Sequence, residues 1–109
     1  MSEEYNFIRY VKKITIYDGL NLGSNFINFS SAFNSRFDGY DYIGLSYDKE
    51  NDVIKIDVFV EKGYGRCKIS RFKKHDCSRI ATSLGKEMKN GRYLFLKEDT
   101  NRSIIVKHN

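Results

Sequence analysis

Two runs of alternating apolar residues, separated by a short polar gap, constrain this chain more than any other feature. Ile43, Leu45 and Tyr47 alternate with small or polar neighbours in Tyr40 to Tyr47, and Ile54, Ile56, Val58 and Val60 alternate in Val53 to Val60. A period of two places every second side chain on one face of an extended strand. The segment between them, Asp48-Lys49-Glu50-Asn51-Asp52, is a polar connection of ordinary hairpin length. A second hairpin is expected from Arg92 to Leu96 and Ser103 to Lys107, around Glu98-Asp99-Thr100-Asn101. There is no proline, so turns fall to Gly, Asn and Asp. Further strands are expected at Val11 to Tyr17, Phe26 to Phe29 and Arg66 to Arg71.

Two short helices complete the expectation. Ser30 or Ser31 caps the first, which carries Phe33 and Phe37 four apart on one face and stops at Asp38-Gly39. Asp76 or Ser78 opens the second, whose stripe is Ile80, Ala81, Leu84 and Met88 and whose end is Asn90-Gly91. The chain is thus expected to be an α+β domain, rich in β-structure, with two short helices packed on antiparallel hairpins. Its 109 residues fit one domain spanning 1–109. Residues 26–58 and 66–107 also share an order: strand, helix, Asp-Gly or Asn-Gly, aromatic strand, charged turn and Ile/Val strand. Setting Asn51 over Asn101 puts Ile54 over Ile104 and Ile56 over Val106, so the pattern reads as an internal β–α–β–β duplication.

That order resembles the half-domain of the swapped-hairpin AbrB, MazE and SpoVT family. The matching features are Ser30-Ser31 ahead of Phe33 and Phe37, Gly39 ahead of the strand Tyr40 to Tyr47, and Ser78 ahead of Ile80, Leu84 and Gly91. The resemblance implies a DNA-binding protein in which one chain supplies both halves of a unit that the family usually builds from two. The family's proline-containing start is missing, and its Gly-Asp survives only as Gly39-Tyr40-Asp41. The resemblance therefore carries no site residues.

Charge supplies the functional signal. The net charge is +5, yet residues 62–92 hold ten Lys and Arg against two acids, while 14–61 hold three against eight. A field so concentrated attracts phosphates or an acidic surface. Lys62, Arg66, Lys68, Arg71, Lys73, Lys74, Arg79 and Arg92, with Tyr64, are the candidate nucleic-acid contacts. In a strand 66–71, Arg66, Lys68 and Ser70 share one face and Cys67, Ile69 and Arg71 the other. The alternative site is the acidic, aromatic strip of Tyr40, Tyr42 and Tyr47 with Asp41 and Asp48, suited to a basic protein partner.

Catalytic material is scarce. His75-Asp76-Cys77-Ser78 are consecutive, whereas nucleophile, base and orienter usually converge from distant positions. Cys67, His75, Cys77 and His108 match no standard zinc spacing. Neither an enzyme, a metal nor a cofactor is expected. Cys67 and Cys77 read as free thiols. The acidic start Met1-Ser2-Glu3-Glu4 is unlike a signal peptide, and no apolar run reaches the length of a membrane span, so the expected location is cytoplasmic with no membrane partner. The leading expectation is a small DNA- or other nucleic-acid-binding regulator, either monomeric or a homodimer. The rival is a protein-binding inhibitor or adaptor encoded by a virus or mobile element, for instance an anti-defence protein, with an acidic protein surface as the partner of the basic face.

Overall fold

A computed structural model describes residues 4–11, 17–72, 76–99 and 102–109. Among them are nine strands in one antiparallel sheet: β1 (Gly19–Leu22), β2 (Phe26–Phe29), β3 (Tyr42–Asp48), β4 (Val53–Phe59), β5 (Arg66–Lys68), β6 (Ser70–Phe72), β7 (Cys77–Ala81), β8 (Gly91–Glu98) and β9 (Ile104–His108). Their order is β5-β3-β4-β9-β8-β1-β2-β7-β6. The two ends, β5 and β6, are consecutive in the chain and separated by Ile69 alone, so the sheet curls into a nearly closed barrel. The Ile69 N–H donates to the Asp41 carbonyl at 2.9 Å, tying this junction to the approach to β3.

Both expected hairpins form, with Ile43 opposite Val58 and Leu45 opposite Ile56 in the first and Phe95 opposite Val106 in the second. Alternation then fills the barrel. Leu20, Leu22, Ile27, Phe29, Ile43, Ile54, Ile56, Ile80, Tyr93, Ile104 and Val106 point inward and are buried. The expected strand Arg66 to Arg71 is split at Ile69, but its alternation holds: Ile69 is buried, while Arg66, Lys68 and Ser70 face outward. The expected strand Val11 to Tyr17 lies mostly outside the described residues, since 12–16 are not among them.

The expectation of an α+β fold with two helices is overturned. The described residues contain one short helix, α1 (Ser31–Asn34), continued by a 3-10 turn at Ser35–Phe37, and a second 3-10 turn at Leu84–Lys86. The residues expected to open a second helix form β7 instead. Cys77–Ala81 buries alternate side chains and pairs with β2, setting Ile80 opposite Ile27. Asp76 adopts φ 50°, a left-handed conformation that an N-cap does not use. The spacing of Ile80, Leu84 and Met88 suits a helix, but a strand followed by one tight turn buries the same three residues. Tertiary pairing with β2 decides between the two.

The β–α–β–β unit is therefore present once and not twice. What recurs is the pairing register. Ile54 pairs with Val106 and Ile56 with Ile104, so the alignment of Ile54 on Ile104 and Ile56 on Val106 maps this β4–β9 contact onto itself. The β2–β7 pair lies across the barrel in the same antiparallel sense.

The open end beside α1 is sealed by aromatic packing. Phe29, Phe33 and Phe37 form a triangle with ring centroids 4.7–5.6 Å apart, one pair stacked and two edge-to-face. Ser30 Oγ accepts the Phe33 N–H at 3.3 Å and the Gly19 N–H at 3.2 Å, joining the helix cap to β1. Above the triangle the Arg36 guanidinium lies 4.0 Å from the Phe95 ring and donates to both oxygens of Asp18, at 2.5 and 2.7 Å.

Candidate nucleic-acid interface

Strand register builds the site. Directly paired residues of antiparallel strands share a face, and one such row crosses five strands without interruption. Ser70 on β6 pairs with Arg79 on β7, Arg79 with Asn28 on β2, Asn28 with Asn21 on β1, and Asn21 with Arg92 on β8. All five side chains project from the outer face, because their neighbours Leu20, Leu22, Ile27, Phe29, Ser78, Ile80 and Tyr93 fill the interior. Two arginines thus stand three strand spacings apart, roughly 14 Å, with two carboxamides between them.

Aromatic rings flank the row. Arg79 donates from Nε to Asn28 Oδ1 at 2.8 Å, and its guanidinium lies 4.8 Å from the Phe26 ring and 5.4 Å from that of Phe72. Both rings stay partly exposed. Arg92 lies 4.0 Å from the Tyr17 ring. Guanidinium groups held against rings keep their charge and lose side-chain freedom, which lowers the ordering cost of meeting a ligand.

The basic residues singled out from the sequence divide between this face and other duties. Arg79 and Arg92 are in the row. Arg66 and Lys68 lie on the outer side of β5, and the line Arg66, Lys68, Ser70 leads into the row from the neighbouring surface. Arg66 stacks on Phe59 at 3.6 Å and donates to the Glu61 carbonyl at 3.0 Å. Lys62 and the fully exposed Tyr64 belong to the loop between β4 and β5. Arg71 is occupied elsewhere: it donates to Asp41 Oδ1 at 3.1 Å, to the Phe37 carbonyl at 2.8 Å and to the Tyr40 carbonyl, fastening β6 to the turn before β3. Lys73 and Lys74 lie outside the described residues.

The three tyrosines of the alternative site are not brought to one face. Tyr42 is on the outer side of β3, opposite Lys68 and Phe59. Tyr47 is on the inner side, opposite Ile54, and Tyr40 precedes the strand with its hydroxyl accepting from Arg102 at 2.9 Å. Asn21, Asn28 and Phe26 are the residues that sequence reasoning missed. The signal was the triplets Leu20-Asn21-Leu22 and Ile27-Asn28-Phe29, in which an amide between two core residues must face outward on a strand.

Chemically reactive side chains do not gather here. Cys67 is half-buried on β5, and desolvation pushes its thiol pKa up, away from the reactive thiolate. His108 packs edge-on against Tyr93 at 5.0 Å and contacts the Asn90 carbonyl at 3.1 Å. Among the described residues no three His, Cys, Asp or Glu side chains are grouped to hold a metal, and no helix is long and apolar enough to cross a membrane. Comparison of the chain with protein-family models, with curated proteins and with solved structures found no significant match.

Proposed function

We propose that this protein is a non-enzymatic, cytoplasmic nucleic-acid-binding regulator, and that its contact surface is the outer face of β6, β7, β2, β1 and β8. The observation that carries this reading is the unbroken row Ser70, Arg79, Asn28, Asn21, Arg92. Arginines at both ends suit phosphates. The carboxamides between them have the donor and acceptor pattern that contacts sugars and base edges, and Phe26 and Phe72 offer ring surface for stacking. Lys68 and Arg66 extend the positive potential along the adjoining strand. The resemblance to the swapped-hairpin regulators belongs to the same proposal, supported only by the single run of β2, α1, β3 and β4.

Fluorescence anisotropy with labelled duplex DNA, single-stranded DNA and RNA, each at low and physiological salt, tests the reading. The expected result is salt-sensitive binding to at least one polymer. Arg79→Ala and Arg92→Ala should each weaken it and lower the log–log salt slope by about one. Arg79→Lys, which keeps the charge but loses the planar stack on Phe26 and Phe72, should recover only part of the affinity. No binding at low salt would sink the proposal.

A further inference from the structure

The segment ahead of the barrel carries large apolar side chains that the barrel does not cover. Phe7, Ile8, Tyr10 and Val11 are 90, 94, 86 and 70% exposed, and residues 4–11 belong to no strand or helix. The chain measures 72 × 32 × 26 Å with a radius of gyration of 17.9 Å, against about 13 Å for a compact domain of this size. Large apolar side chains left in water mark an interaction site. Their β-branched and aromatic character is that of a strand lacking its sheet.

The barrel has a matching vacancy in its hydrogen bonding. β3 pairs with β4 along its whole length, but with β5 only from Tyr42 to Gly44. Beyond that point the chain has turned away through Gly63-Tyr64-Gly65, and the outer edge of Leu45–Asp48 has no strand beside it among the described residues. The corresponding edge of β8 is already engaged, since the Phe95 N–H donates to the Asp18 carbonyl at 2.8 Å. On the inner side of the β3 edge Tyr47 stays 49% exposed next to a half-buried Leu45, and on the outer side stand Ser46 and the Asp48 carboxylate. Hydrogen bonds from Asn51 hold that carboxyl below its ordinary pKa, so it stays charged.

We infer that residues 4–11 are an exchange arm that adds as a strand to the free edge of β3 in a second copy of this chain. In an added strand, Ile8 and Tyr10 fall on one side and Phe7, Arg9 and Val11 on the other. With Ile8 and Tyr10 laid over Leu45 and Tyr47, Arg9 comes to the outer side, where Asp48 stands. Backbone pairing supplies affinity, and the apolar cover and the opposite charges set the register. Reciprocal exchange is a two-fold, self-closing arrangement, so it yields a dimer and not a fibre.

Sedimentation equilibrium of the full chain over a wide concentration range tests this. The expected result is a concentration-dependent dimer. Ile8→Ser with Tyr10→Ser removes the two apolar side chains that would cover Leu45 and Tyr47, and Tyr47→Lys spoils the receiving edge; circular dichroism should show both folded and sedimentation should show both monomeric. Mixing the two variants leaves one intact arm facing one intact edge, so a heterodimer should return, at lower affinity than the wild-type dimer. A wild-type chain that stays monomeric at every concentration overturns the inference. So does a dimer indifferent to the arm variant, or insertion of the arm into anionic lipid vesicles by a chain that remains monomeric.

Discussion

The two connections that cap the barrel carry the same apolar spacing and fold differently. In the first, Phe29, Phe33 and Phe37 recur every four residues through the end of β2, α1 and its 3-10 continuation. In the second, Ile80, Leu84 and Met88 recur every four residues through the end of β7, one 3-10 turn and the residues after it. Both sets are buried. The first begins with a serine whose hydroxyl accepts a helix N–H and presents rings that fill the end of the barrel by stacking on one another. The second begins with Ser83, whose side chain makes no cap, and continues with Gly85, whose backbone lies against that of Gly23. Apolar spacing therefore selects which residues are buried; caps and side-chain volume select the local path that buries them.

The largest break in that comparison should come from the rings. Phe37 is completely buried and touches both other phenylalanines. Phe37→Ala removes edge-to-face contacts and leaves a cavity at a site held on three sides, which costs about 3–5 kcal/mol. Met88→Ala removes a smaller, flexible side chain with no ring contacts from a buried position and should cost about 2 kcal/mol. Urea unfolding of the two variants measures the difference. Equal losses would mean that the second connection is packed as tightly as the first.

The same contrast explains what was legible in the sequence. Both hairpins, β2 and α1 follow from period-two alternation and a serine cap, signals that act within a few residues. The second helix was misread because Ile80, Leu84 and Met88 satisfy a helical template. The information against it lies in Ile27 and Phe29, far away in the chain, which offer Cys77–Ala81 a strand partner. The site was legible in part for the same reason. Net charge pointed to 62–92, and Arg79 and Arg92 are there. Nothing local to those residues shows that Asn21 and Asn28 stand between them, since only the register of four strand pairs creates that row. Nor does charge reveal that Arg71 is consumed by Asp41 and two carbonyls.

A smaller effect tests why the second connection does not continue as a helix. A Cβ added at Gly85 would land on the Gly23 carbonyl oxygen and 2.9 Å from Asn90 Oδ1. Because the obstacle is backbone, Gly85→Ala must push the 3-10 turn off the β1–β2 turn, at a cost of about 1–3 kcal/mol. Ala32→Gly, on the exposed side of α1, should cost no more than about 1 kcal/mol, through helix propensity alone. If Gly85→Ala proved neutral in thermal unfolding, close approach to Gly23 would not be what shapes this connection.

The smallest expected difference lies at the caps, and it sharpens the comparison most. Ser30 Oγ accepts two backbone N–H groups, one from α1 and one from the first residue of β1. Ser30→Ala leaves both without that acceptor in a half-buried setting and should cost about 1 kcal/mol, the typical value for a lost cap. Ser83 holds the matching place before the Leu84–Lys86 turn, where the Leu84 N–H is served instead by Thr82 Oγ1 at 3.3 Å. Ser83→Ala should therefore stay within about 0.5 kcal/mol of wild type. Hydrogen exchange separates the two further. Losing the Ser30 hydroxyl should speed exchange at both Phe33 and Gly19, because one side chain serves amides on two elements. Acceleration at Phe33 alone would show that the cap acts only within its own turn and does not fasten α1 to the barrel.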